Sequence, residues 1–89
     1  MRVRKSARFE RGLEQVLEYY REKAPGFCVT LLDRVGEVIR CLKEFPEIGA
    51  EMEKGERRIL VSSDYLIYYE VEGEEVWLKR IRRASQGGK

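Results

Sequence analysis

The stretch RRILVSSDYLIYYEVEGEEVWLKRIRR, Arg57 to Arg83, decides the fold. Its apolar residues recur at every second position, which is the period of a strand and not of a helix. Two polar triplets interrupt it, SSD at 62–64 and EGE at 72–74, and both suit tight hairpin turns. Strands are expected at 57–62, 65–72 and 75–82, joined as an antiparallel meander. The middle segment, YLIYYEV, is rich in β-formers on both faces, as a central strand is.

Upstream the period changes. Phe9, Leu13, Val16, Leu17 and Tyr20 form a helical stripe, with Ser6 as N-cap and no capping box, because Phe9 stands where the box needs Glu or Gln. The helix is expected to run to about Lys23 and to stop at the breakers APG, Ala24 to Gly26. A second stripe follows: Cys28, Leu31, Leu32, Val35, Val38, Ile39 and Leu42. That helix must end before Pro46, because proline pushes Phe45 out of the helical region. So short a connection makes the pair an antiparallel hairpin. Each helix carries an interior glycine, Gly12 and Gly36, and the two come nearly level in such a hairpin. They are expected to let the helices approach closely. RVRK, Arg2 to Lys5, reads as a short first strand, and FPEIGAEMEKGE, Phe45 to Glu56, as a polar connection. The fold class is α+β, in the order β-α-α-β-β-β. Both helices are expected on one face of the sheet, with the other face left open.

An 89-residue chain is expected to form one domain, 1–89, with a thin core. A hydrophobic content of 43% with 38% charged residues fits a globular chain. No apolar run approaches the roughly 20 residues of a membrane span, and the basic start has no apolar segment after it. The expected location is cytoplasmic. Cys28 and Cys41 fall in the second helix, roughly 20 Å apart at about 1.5 Å rise per residue, so they are expected to be free, buried thiols. With no histidine in the chain and two isolated thiols, neither a structural zinc site nor imidazole base catalysis is expected, and no cofactor motif is present.

Net charge is only +2, but it is unevenly spread. Residues 1–11 carry five cations and one acid, residues 79–89 five cations and no acid, and the middle eight cations against fifteen acids. In the last strand, strict alternation sends Val76, Leu78, Arg80 and Arg82 one way and Trp77, Lys79, Ile81 and Arg83 the other. Arg57 and Arg58 open the first meander strand and are expected to lie away from Arg82 and Arg83, which gives two basic zones. Arginine forks suit carboxylates or phosphates, whereas the bland reading is strand ends reaching water beside the acidic middle of the chain. Tyr65, Tyr68, Tyr69 and Trp77 interleave with these charges, either as core residues with a hydrogen-bonded tip or as a stacking platform. Glu10, Glu14, Glu18 and Glu22 form a like-charge ladder along the first helix, read as a solvated face or as a strip for a basic partner.

The element order, LKEFPEIG, RRILV and YLIYYEVEGEEVWLKRIRRASQ together resemble the RelE/ParE toxins of type II toxin–antitoxin systems over nearly the whole chain. The resemblance implies growth inhibition, neutralisation by a cognate antitoxin in a hetero-oligomer, and one of two actions. RelE-type members cleave mRNA on the ribosome without a metal; ParE-type members, associated with plasmid stabilisation, inhibit DNA gyrase and are not nucleases. Leu66 stands where the cleaving branch has an arginine, and ASQGGK has neither the tyrosine nor the histidine of that branch's C-terminal extension. The ParE-like branch is therefore the expected one. The resemblance gives Lys79, Arg80, Arg82, Arg83, Arg57 and Arg58 as target-binding residues. Tyr68, Trp77, Arg80 and Arg82 are the expected antitoxin contacts. Were the chain a ribonuclease, Arg57, Arg58, Arg80, Arg82 and Arg83 would neutralise the phosphate. A decayed family member or a small nucleic-acid-binding module is the remaining alternative.

Overall fold

The computed structural model describes residues 1–84. Strand β1 (Arg2–Lys5) leads into helices α1 (Ala7–Lys23) and α2 (Pro25–Glu44). A two-residue strand β2 (Ala50–Glu51) and a 3-10 turn at Glu53–Gly55 precede β3 (Glu56–Ser62), β4 (Tyr65–Glu72) and β5 (Glu75–Arg83). The sheet order is β1-β5-β4-β3-β2, with β4 in the middle. Only the β1–β5 pair is parallel. The α+β order read from the sequence is the observed one. The additional strand β2 forms inside the segment read as a polar connection.

Local chemistry sets the boundaries. The Ser6 side chain caps α1 by accepting from the Phe9 N–H at 3.0 Å. The helix break is a single residue: Ala24 ends α1, donating its N–H to the Tyr20 carbonyl at 2.8 Å, and Pro25 opens α2. Proline suits the first helical position because its missing N–H would have had no partner there. At the β4–β5 turn Gly73 holds φ at +60° and Glu74 does not, the pattern of a hairpin turn that wants glycine first.

Both helices pack on one face, α1 over β5 and α2 over β3. Phe9, Leu31, Val35, Val38 and Leu42 meet Val61, Tyr65, Ile67, Tyr69, Val76 and Leu78 in the core, all of them buried. Leu32 departs from its expected inward position: it is 48% exposed on the outer side of α2. Cys28 and Cys41 are free and half-buried, and the Cys28 thiol donates to the Leu17 carbonyl at 3.4 Å.

The expected helix-to-helix role of the glycines is overturned. A Cβ on Gly12 would meet Ile81 Cγ2 of β5 at 3.2 Å, so Gly12 brings α1 close to the sheet. A Cβ on Gly36 would meet only the tip of Arg40 on its own helix, at 3.9 Å. The strict alternation expected for β5 is also overturned. Leu78 pairs with Tyr69 and the next pair is Arg80 with Tyr68, so Lys79 is an extra residue, a β-bulge. Beyond the bulge the faces exchange. Ile81, opposite buried Ile67, packs against the core, while Arg80 and Arg82 join Trp77 on the open face.

Candidate docking face

The face of the sheet away from the helices has a defined map. One row runs Arg58, Tyr68, Arg80 across β3, β4 and β5; the next runs Leu60, Leu66, Arg82. On the other side of the first row lie Glu56, Glu70 and Trp77, with Arg4 of β1 beyond. Arg58 is thus level with Arg80 and one row from Arg82. The expectation of two separate basic zones fails because β5 begins opposite Glu72 whereas β3 begins opposite Glu70, so Arg58 falls level with Arg80 in the middle of β5.

Several of the arginines are already engaged. Arg80 grips Glu56 with both ends of its fork, Nη1 to Oε2 at 2.6 Å and Nη2 to Oε1 at 3.3 Å, and lies 4.2 Å over the Tyr68 ring. Its Nε is buried without a partner. A bidentate pair whose side chains are only 23% and 19% exposed is screened less than a surface pair and holds both groups in place. Arg2 and Arg4 both reach Glu75 at 3.4 Å, and Arg4 lies 4.8 Å from the Trp77 ring centre. Arg57 points to the helix side, opposite buried Tyr69. There its Nη1 donates to the carbonyls of Glu47 at 3.0 Å and Gly49 at 2.8 Å. The Tyr69 hydroxyl completes that clasp by accepting from the Gly49 N–H at 2.9 Å, and burial pushes its pKa above the usual tyrosine value. Arg83 lies opposite Tyr65, also on the helix side, and is exposed. Lys79 sits at the bulge, half-buried.

Arg58 and Arg82 are different. Neither has a carboxylate within 4.0 Å among the described residues. Between and beside them lies an open groove lined by Ile48, Ala50, Leu60, Leu66 and Ala84. Leu60 is 59% and Ile48 55% exposed, and Phe45, 59% exposed, stands nearby in the same connection. The face is therefore polarised along its strands. Glu56, Glu70, Glu72 and Glu75 crowd toward the β4–β5 turn, while the opposite end is apolar and cationic. The sequence reading found the arginines but missed Ile48, Ala50, Leu60 and Leu66. For Leu60 and Leu66 the signal was there: each alternates with a core residue and so faces away from the helices.

This end of the face sets exposed apolar side chains beside two arginines that have no carboxylate partner among the described residues. The five guanidiniums named for phosphodiester chemistry do not converge, since Arg57 and Arg83 are on the helix side and Arg80 is neutralised by Glu56. Among the described residues no group of three or more Cys, Asp or Glu side chains is placed to hold a metal ion. Tyr65 is pushed up to about 12, first by burial and then by its hydrogen bond with Tyr20, and stays protonated at neutral pH. The C-terminal tail, where the resemblance sets the absence of a tyrosine or histidine, lies at residues 85–89, outside the described residues.

The molecule is thus a two-helix hairpin laid over one face of a five-stranded sheet, with a short parallel edge strand. The comparison with protein families is specific. Residues 3–87 match the family described as the ParE toxin of type II toxin-antitoxin system, parDE. The chain belongs to the ParE toxin family. Among solved structures it is similar to the chromosomal ParDE toxin–antitoxin system from P. aeruginosa, at 19% identity, with 93% of this chain and 95% of that chain covered and a TM-score of 0.76. A YoeB/ParE toxin from Agrobacterium tumefaciens matches at 13% identity over 93% and 98% of the two chains, TM-score 0.70. YafQ from E. coli strain BL21(DE3) matches at 11% identity over 100% of both chains, TM-score 0.63. At these identities the likeness is one of fold. No curated protein matches the sequence. No helix among the described residues is long and apolar enough to cross a membrane.

Proposed function

We propose that this toxin arrests growth by binding, not by cutting RNA. The target is DNA gyrase, in the cytoplasm, and the docking surface is the cationic–apolar end of the open sheet face. One observation carries the reading. Arg58 lines an exposed apolar groove and Arg82 stands opposite Leu66 at its edge, while Arg80 is paired with Glu56, Arg57 donates to backbone carbonyls, and Arg2 and Arg4 each contact Glu75. An apolar centre with charged groups at its rim is how a protein surface recognises another protein. Gyrase follows from membership of the ParE family, whose members the sequence resemblance links to that enzyme. A ribosome-dependent nuclease would need its cations gathered around one phosphodiester, whereas here Arg57 and Arg83 lie on the helix side and Arg80 is paired with Glu56.

The cognate antitoxin is proposed to cover the same face. Tyr68, Arg80 and Arg82 lie in adjacent rows, with Trp77 in the row beyond, so one acidic segment running along β5 passes all four. Lys79 and Arg83 lie at the rim of this surface, and Arg57 supports it from behind.

The test is colony formation after tightly induced expression in a bacterium. The native chain is expected to reduce viable counts at least 100-fold. Arg58→Glu with Arg82→Glu is expected to restore growth at equal soluble protein. Killing that survives both reversals would remove this surface from the reading.

A further inference from the structure

The bulge at Lys79 settles which face receives the last arginines. Up to Leu78 the β4–β5 ladder is regular, with Glu70 opposite Trp77 and Tyr69 opposite Leu78. From Arg80 on it is regular again, one residue out of step, with Tyr68 opposite Arg80 and Ile67 opposite Ile81. Were the ladder to run through Lys79 without a bulge, Lys79 and Ile81 would face outward. Arg80 and Arg82 would then turn under α1, where Ile81 now lies against Gly12.

The bulge has a visible holder. In a regular strand consecutive carbonyls point to opposite edges. Here the carbonyls of Leu78 and Lys79 are both bound by one residue, Ser6. Its backbone N–H donates to Leu78 O at 3.1 Å and its hydroxyl donates to Lys79 O at 3.0 Å. The same hydroxyl oxygen accepts from the Phe9 N–H at 3.0 Å, so the cap of α1 and the bulge of β5 share one side chain.

We propose that Ser6 is a positioning residue for the docking face: by holding two consecutive carbonyls of β5 it fixes the bulge that presents Arg80 and Arg82 on the open side. Its functional consequence rests on the reading of that side as the toxin's docking surface. The two jobs of Ser6 are chemically separable. Threonine keeps both the acceptor and the donor. Aspartate keeps the acceptor for Phe9 but has no proton to give Lys79 O. Alanine keeps neither. Deleting Lys79 removes the extra residue, so the regular ladder itself then pairs Tyr68 with Arg80 and Ile67 with Ile81, and the hydroxyl has nothing left to hold in register.

The experiment is amide hydrogen exchange and cross-strand contacts by NMR on the full chain and its variants. Ser6→Asp and Ser6→Ala are expected to speed exchange at Lys79, Arg80 and Ile81 by about three- to tenfold, the scale of one net hydrogen bond. Ser6→Thr is expected to match the native chain. In the chain lacking Lys79, the Tyr68–Arg80 and Ile67–Ile81 contacts are expected to persist, and adding Ser6→Asp to leave exchange unchanged. Native exchange rates in Ser6→Asp, or loss of the Ile81 contact with Gly12 on deleting Lys79, would overturn the proposal. Colony counts give a separate readout. If Ser6→Asp loosens the bulge and still kills at native potency, the positioning role stands and the assignment of Arg80 and Arg82 to the docking surface falls.

Discussion

Of the arginines on the open face, Arg80 has its charge answered within the chain, by Glu56, and Arg82 does not. That difference assigns them different work. Arg80 stiffens the sheet, while Arg82 is available to a partner. Glu56→Gln is expected to lower stability by about 1.5–3 kcal/mol, the scale of hydrogen bonds to a charged group, measured by urea denaturation. An unchanged midpoint would mean that the pair is only decorative. Gly49 is the second decisive residue. A Cβ there would stand 2.6 Å from the Tyr69 hydroxyl oxygen and 2.7 Å from Arg58 O, both fixed. Gly49→Ala is expected to cost about 1–3 kcal/mol and to loosen the connection that displays Ile48, seen as a fall in Tm. None of this was readable in the sequence. The residue types at 56, 80 and 49 were plain, but nothing local says that Arg80 finds a carboxylate two strands away.

At the scale of elements the sequence was most informative. The change from a helical to a strand period at Glu56 is a local signal, and so are the Ser6 cap and the proline at the start of α2. Each reflects backbone chemistry that needs no knowledge of the rest of the molecule. Three readings failed where the deciding contact is distant. The bulge at Lys79 depends on Ser6, 73 residues away in the chain. Strand β2 forms because Ala50 and Glu51 reach Arg58 and Arg57. The glycines were matched to each other by their level in the hairpin, whereas only Gly12 has a close neighbour, and it lies in the sheet. A direct consequence follows. Gly36→Ala is expected to stabilise the chain by about 0.5–1 kcal/mol, because helix propensity improves and the new methyl meets only the mobile tip of Arg40. Gly12→Ala is expected to lose that gain against Ile81. Thermal unfolding of the two variants side by side checks the difference, and equal shifts would contradict it.

Over the whole molecule, helices on one side leave the other side open, and charge divides that side into an acidic end and a cationic–apolar end. The core adds a pH signature. Tyr65 is held protonated up to about pH 12 in the folded chain, against about 10 when unfolded. Between those values the unfolded state binds fewer protons than the folded one, so the tyrosine's contribution is complete below about pH 10 and falls as pH rises toward 12. Denaturation midpoints measured across that window are expected to decline, and Tyr65→Phe to flatten the decline. The family could be read from the order of elements and motifs, but the faces of the last arginines could not, because the bulge at Lys79 decides them. Which cations remain unpaired could not, because pairing is decided across strands. The central claim, a toxin that acts by docking, is tested most directly by gyrase supercoiling with purified native chain and the Arg58→Glu, Arg82→Glu variant, with circular dichroism to show that both are folded. The account predicts inhibition by the native chain and at least a tenfold loss of potency in the variant. Unimpaired supercoiling, with ribosome-dependent mRNA cleavage in a translation extract instead, would contradict it.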